Sequence, residues 1–378
     1  LKKVKEDGTV EQVPITLDKE GVYKYIITEK AGTDSEVDYD GMRVTATVTV
    51  TEYIDQSDHD LVKYKYEVTY TSENGRDSTG QPNNPSATSN DTEFNNFVVA
   101  PVNVEFDFTK KLSGRKLQAN EFTFNLLNEA GAVIGTATND AAGNVKFTGI
   151  KYTVDDLGKD TSGKRNDSKT FNYTVKEVQG SLANVTYDQM EAKVTVTVTK
   201  TGHALTTATT YSSINGVDAN GNPTTSEDKE FNNTFTPNPV KVNLDFDKSL
   251  SNGTLNAGDF SFTLTANTAG DTNADQRVTN AANGKINFSE LSFDKEGVYN
   301  YTVKEVKGNV ADVDYDAMTI DVTVTVTKDA DTGLLSATTV MTSTGGEATG
   351  TDDTTFNNHV VAPVTAQLTS LKLLQVVS

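Results

Sequence analysis

Strict alternation dominates the chain. Across residues 193–200 valine and threonine take turns, placing Val194, Val196 and Val198 on one side. Val322, Val324 and Val326 repeat the pattern, as do Val44, Ala46, Val48 and Val50. Period two with β-branched residues predicts half-buried antiparallel strands. No amphipathic helical period is visible. Many such strands separated by turn residues predict an all-β chain of β-sandwich domains.

The strands recur in blocks. LDKEGVYKYIITE (17–29) returns as FDKEGVYNYTVKE (293–305) and more loosely as SKTFNYTVKE (168–177). VDYDGMRVTATVTVTE (37–52) is matched at 185–200 and 313–328, and each copy closes on an FNN motif, at 94–96, 231–233 and 356–358. An opener, NVEFDFTKKLSGRKLQANEFTFNL (103–126), returns at 241–264. The expected organisation is a first repeat without its opening strands at 1–100, complete repeats at 101–238 and 239–363, and the opening strand of a fourth at 364–378. Polar stretches 155–169, 80–91 and 215–228 read as surface loops, and the joints at 100–101, 238–239 and 362–363 as short, stiff linkers.

Composition narrows the chemistry. With 33 Lys+Arg against 53 Asp+Glu the net charge is −20, which argues against nucleic acid and anionic membrane as partners. There is no Cys, so disulfides, thiolate metal sites and Cys nucleophiles are excluded, and the only three His, His59, His203 and His359, lie far apart in sequence and leave little material for a His-based metal centre or triad. No apolar run reaches the roughly 18 residues of a membrane span. Leu1 opens the chain and no signal peptide follows, so the expectation is a piece of a longer protein.

Against this background three polar residues in each complete repeat fall on apolar strand faces. In the second repeat Lys110 shares parity with Phe106 and Phe108, Glu177 with Phe171, Tyr173 and Val175, and Asn233 with Phe231 and Phe235. In the third the set is Lys248, Glu305 and Asn358. The first repeat keeps Glu29 and Asn96 but has no opener lysine. Parity turns Asn95, Asn232, Asn357, Lys111, Lys176 and Lys304 outward.

Isolated buried charges are costly, so two readings fit the trio. One is a buried Lys–Glu ion pair with Asn beside it. The other is reaction: desolvation favours neutral amine and protonated acid, the amine attacks the Asn carbonyl, and the Glu polarises that oxygen and relays protons to departing ammonia. The product is a Lys–Asn amide made once, so the chain is a single-turnover autocatalyst and not an enzyme.

The FxK opener, YTVKE and FNN, in that order with YD-x-M and the Val/Thr strand, resemble the streptococcal pilin isopeptide-linkage domain family of Gram-positive pilins and surface adhesins. The resemblance implies immunoglobulin-like sandwiches arranged end to end. It also implies Lys110–Asn233 and Lys248–Asn358 bonds promoted by Glu177 and Glu305, with Glu29 the equivalent acid of the first repeat. Asn96 is then an unpaired equivalent, as is Lys372, which lies 14 residues beyond its FNN asparagine just as Lys110 does. A swap of the tail strand onto the first repeat, in cis or from another chain, is a further arrangement the sequence allows.

The functional expectation is a structural stalk of a cell-wall-anchored, extracellular adhesin or pilus-like fibre. Its partners would be neighbouring repeats, with any host ligand bound elsewhere on the full protein. The alternative is an adhesive module that binds host protein or glycan through loops such as 53–91 and 155–169. No cofactor is expected. DTNADQ (271–276) begins like a calcium loop but has Gln276 and Ala282 where Gly and Glu belong, so it reads as a polar hairpin, and Asp40, Asp188 and Asp316 of the YD motifs read as turn acceptors.

Overall fold

The computed structural model of the chain describes residues 2–4, 10–12, 14–57, 61–82, 90–161, 164–224 and 227–367. They form two compact units, one from Leu1–Lys111, Gln118–Gln179 and Asp188–Asn232, the other from Leu112–Leu117, Gly180–Tyr187 and Asn233–Ser378. Strands account for nearly all regular structure; among the described residues the one helical segment is a 3₁₀ turn, Val154–Leu157.

The third repeat shows the architecture. One sheet runs in the order Gln276–Thr279, Ser261–Ala266, Gly297–Val306, Thr319–Lys328, Leu335–Thr344. The other runs Lys285–Asn287, Asp245–Ser251, Thr355–Val360, Val313–Asp314. Alternate residues of both sheets meet in one core, including Phe246 and Phe356 from one and Phe262, Val303, Val322 and Val324 from the other. Each such side chain contributes roughly 1.5–3 kcal/mol by leaving water. The pairings are antiparallel except that Asp245–Ser251 lies parallel to Thr355–Val360. That exception sets the first and last strands of the repeat side by side.

The second repeat has the same two sheets, with Val102–Ser113 and Glu230–Phe235 as neighbours in one and Thr123–Leu127, Ser168–Glu177 and Glu191–Thr201 consecutive in the other. The first repeat has less. Gly21–Thr28, Arg43–Asp55 and Leu61–Glu73 form a three-stranded sheet, and Val37–Asp38 pairs with Phe97–Val98. The all-β, tandem-sandwich expectation describes this chain.

Two segments read as loops are more than loops. Much of 53–91 belongs to a long hairpin in which Arg43–Asp55 and Leu61–Glu73 stay in register to Asp55↔Leu61. The 155–169 insertion is entered through the 3₁₀ turn Val154–Leu157, whose Val154 and Leu157 are buried, and it tucks Arg165 against the first repeat. Val154 just before the polar run and Leu157 within it supply that anchor. The acceptor is Asp38, 1% exposed. Arg76 reaches its Oδ2 at 2.6 Å, Lys200 the same oxygen at 2.7 Å, and Arg165 its Oδ1 at 3.4 Å.

Burial alone would push the Asp38 carboxyl up, but hydrogen bonds from Lys200 and Arg76 hold it below the usual carboxylate range. A depressed folded-state pKa gives stability that is present above the unfolded value and lost as pH falls through the folded one. Asp38→Asn is therefore expected to cost about 3 kcal/mol at neutral pH, the scale of breaking a buried pair. Urea titrations should show the difference vanish once the solution is acidified below the carboxylate range.

Candidate functional site

In the third repeat the three residues come from three strands. Lys248 lies on Asp245–Ser251, Glu305 on Gly297–Val306 and Asn358 on Thr355–Val360. The Lys248 and Glu305 side chains are fully buried, and Nζ stands 3.0 Å from Glu305 Oε2. Asn358, 1% exposed, donates from Nδ2 to the other carboxylate oxygen, Oε1, at 2.7 Å. One carboxylate thus joins the amine to the carboxamide. The Phe260 ring lies 4.7 Å from Nζ, and the ammonium also donates to the Phe356 carbonyl at 3.2 Å.

The carboxamide oxygen has its own donor. The backbone N–H of Asp316 gives a 2.7 Å hydrogen bond to Asn358 Oδ1. The Glu therefore faces the amide nitrogen, and the polarising contact on the oxygen, expected from the Glu, comes from the main chain. The Asp316 side chain secures that peptide: Oδ1 accepts from Met318 N at 2.8 Å and Glu347 N at 3.0 Å, and Oδ2 from Asn357 N at 2.7 Å. The YD aspartate is a turn acceptor, as its position suggested, and also a clamp on the FNN strand.

The backbone positions the lysine from behind. Lys248 N donates to Gly284 O at 2.7 Å, and Gly284 has φ +86°. A β-carbon at 284 would sit 2.5 Å from the Lys248 carbonyl oxygen, so the turn needs glycine on both counts. Lys110 N meets Gly143 O in the same way, also at 2.7 Å.

The second repeat reproduces the pair. Lys110 Nζ stands 3.0 Å from Glu177 Oε2 with both side chains fully buried, and the Phe122 ring lies 4.7 Å from the amine. Asn233 is 1% exposed on Glu230–Phe235. Asp188 repeats the clamp, accepting from Met190 N at 2.9 Å and Asn232 N at 2.7 Å. Asn232 does not face water as parity suggested: it is buried and its amide donates to the Val217 carbonyl.

Desolvation sets the direction of the pKa shifts. Burial pulls the Lys110 ammonium down to about 8, against the opposing pull of Glu177. Burial lowers Lys248 and raises Glu305 in the same way, each opposed by the other's charge. Both shifts favour the neutral amine and the protonated acid.

The first repeat holds a partial copy. Asn96 Nδ2 donates to Glu29 Oε1 at 2.6 Å, and Asp40 N donates to Asn96 Oδ1 at 2.7 Å. Asp40 accepts from Met42 N and Asn95 N, both at 2.9 Å. Lys372 lies outside the described residues. In the DTNADQ loop Asp271 and Asn273 brace the hairpin, Asn273 bonding Ser292 through both amide atoms. No cluster of three or more metal-ligating side chains occurs among the described residues, and no helix among them is long and apolar enough to cross a membrane.

The model of the Spy0128-like isopeptide containing domain matches this sequence three times, at residues 2–98, 106–236 and 244–361. No curated protein matches. Among solved structures, the major pilin protein T-13 of Streptococcus pyogenes is similar at 14% identity over 70% of this chain and 98% of its own, with a TM-score of 0.26. The pilus adhesin SpaC of Lactobacillus rhamnosus GG is 12% identical over 93% of this chain and 44% of its own, TM-score 0.20. The Bacillus anthracis TIE protein is 10% identical over 90% and 52%, TM-score 0.21. Likeness at that level does not bear on function; the threefold family match does.

Proposed function

Because this chain belongs to the family of Spy0128-like isopeptide containing domains, we propose that its second and third repeats seal themselves with Lys110–Asn233 and Lys248–Asn358 amide bonds and serve as a covalently braced stalk of a Gram-positive pilus or surface adhesin. The observation that carries the reading is the Glu305 carboxylate, bonded at once to the Lys248 amine and the Asn358 carboxamide. In this site Nζ gives a proton to Oε2 and the neutral amine attacks Asn358 Cγ. Charge developing on Oδ1 meets the Asp316 N–H, an oxyanion-hole arrangement. The Nζ–Cγ bond forms and the Cγ–Nδ2 bond breaks. Nζ gives up two protons in all, the carboxyl relays them to Nδ2, and the leaving group departs as ammonium.

Transfer of a proton from Lys to Glu leaves the pair's proton count unchanged, so the reactive tautomer is as abundant at one pH as another while the pair keeps its proton. In the second repeat that proton is lost above about pH 8, and the acid then has none to hand the leaving group. Bond formation in the second repeat is expected to slow above that pH, followed by intact mass in chain synthesised cell-free across a pH series.

A bond between the first and last strands of a repeat carries tension past the core. Pulled from its ends in a single-molecule experiment, this chain should show no unfolding step from the second or third repeat. Full-length unfolding steps from both would count against the stalk. The alternative, an adhesive module, is favoured by one observation: Ile54, Leu61, Val62, Tyr64 and Tyr66 stand exposed on the long hairpin. Retained affinity of the isolated chain for a host surface protein, lost on Tyr66→Ala, would support that reading.

A further inference from the structure

We infer that the insertion at 155–169 is an intramolecular fastener, which grips Asp38 of the first repeat and makes the first two repeats bend as one body. The inference stands apart from the isopeptide reading, because none of its residues belongs to the Lys, Glu and Asn sets. Neighbouring domains move relative to one another by default unless their contact holds them, so what the joint contains decides its stiffness.

The insertion is built for that contact. Buried Val154 and Leu157 root it. Beyond them Lys164 O accepts from Asp160 N at 2.8 Å and Gly158 O from Asn166 N at 3.1 Å, so the polar run doubles back on itself. Asn166 Nδ2 ties the returning arm to Leu157 O at 3.0 Å. Arg165, on that arm, is 9% exposed. Asp155 Oδ1 holds its guanidinium at 2.7 Å, and the same group meets Asp38 Oδ1 at 3.4 Å. Lys200, at the end of Glu191–Thr201, supplies the second grip on Asp38. Parting the repeats would take two of three cations from a buried carboxylate, which is costly.

Around the carboxylate the two repeats also fit by shape. The His203 ring stacks on Phe97 with 4.1 Å between centroids, and the Arg76 guanidinium lies 4.9 Å from the Phe97 ring. A β-carbon at 80 would stand 2.9 Å from His203 Cε1, so Gly80 leaves room for the imidazole. Lys151 meets Glu36 at 3.1 Å on the rim. The device belongs to this joint. Thr186 and Lys328 occupy the positions of Asp38 and Lys200 one repeat further on, and both are exposed. The third repeat also runs from Phe288 to Glu305 without the insertion that separates Phe147 from Glu177.

The chain has no Cys, so Thr51→Cys and Ala219→Cys place one spin label on each repeat, at exposed positions away from the joint. Double electron–electron resonance on the labelled 378-residue chain should give one narrow distance peak. High salt should not broaden it, since buried pairs are screened little. Arg165→Ala combined with Lys200→Ala should replace that peak with a broad distribution. Asp38 keeps Arg76 in this variant, so the first repeat stays folded and the far-ultraviolet circular dichroism spectrum is unchanged. Arg165→Gln alone, the milder variant, should broaden the peak as well, whereas Lys159→Ala, exposed on the same insertion, should not. A broad distribution from the parent, or a narrow peak that survives loss of Arg165 and Lys200, would overturn the fastener. A parent peak that broadens in high salt would also overturn it, by assigning the joint to the exposed Lys151–Glu36 pair.

Discussion

Glu305→Ala is expected to reduce the deficit from the chain's own sequence mass from two ammonia molecules to one and to bring the third repeat close to unfolding at ambient temperature. Two losses coincide. The proposed Lys248–Asn358 link, closing a loop on the order of a hundred residues, would contribute roughly 4–5 kcal/mol in the chain-entropy treatment used for disulfides. The fully buried Lys248 amine also loses its carboxylate, and stripping one partner from a buried pair costs about 3–5 kcal/mol. The terms share a residue and do not simply add, but either is a large part of the 5–15 kcal/mol typical of a domain. Glu305→Gln keeps the shape and removes the proton relay, so it should show the same single-ammonia deficit with a smaller loss of stability. Lys248→Met removes the bond without stranding a cation and should also be milder. Chemical denaturation of the three variants beside the parent ranks them. Equal midpoints for Glu305→Ala and the parent would show that neither bond nor pair matters.

Asp316→Ala comes second in size and separates positioning from chemistry. Its carboxylate accepts from Met318, Glu347 and Asn357 main-chain N–H groups, and each buried donor left unsatisfied costs about 1–3 kcal/mol. With partial relaxation, about 3 kcal/mol is expected. The Asp316 N–H that bonds Asn358 Oδ1 survives the substitution, but the peptide bearing it and the FNN strand both lose their clamp. The link should therefore still form, more slowly, with the final ammonia deficit unchanged. Time-resolved intact mass and a melting curve on the same sample check both halves. A permanent loss of the deficit would assign Asp316 a direct part in the reaction.

Much of this was legible from alternation alone. Val/Thr strands and the FxK, KE and FNN parities placed Lys110, Glu177, Lys248, Glu305, Asn233 and Asn358 inside, and burial agrees. The Asp316 N–H that bonds the Asn358 carboxamide oxygen was not legible because it is a backbone group, and a pattern of side chains says nothing about where a main-chain N–H points. The rings beneath the amines, Phe122 and Phe260, sit in repeated openers, yet periodicity reads them only as core. Ile27 has the right parity and is still exposed, because parity names a face while cover depends on the strands above it. The role of Asp38 is hidden for a different reason. Its cations lie 38, 127 and 162 residues away, and Thr186 stands at its position in the second repeat.

The central claim is that an amine, an acid and a carboxamide held in a dry interior become one amide in each complete repeat. The most direct measurement is intact mass of the purified, denatured chain, with peptide mapping of any cross-link. The account predicts a deficit of two ammonia molecules and branched peptides joining Lys110 to Asn233 and Lys248 to Asn358. The full sequence mass, with both lysines and both asparagines recovered in linear peptides, would contradict it.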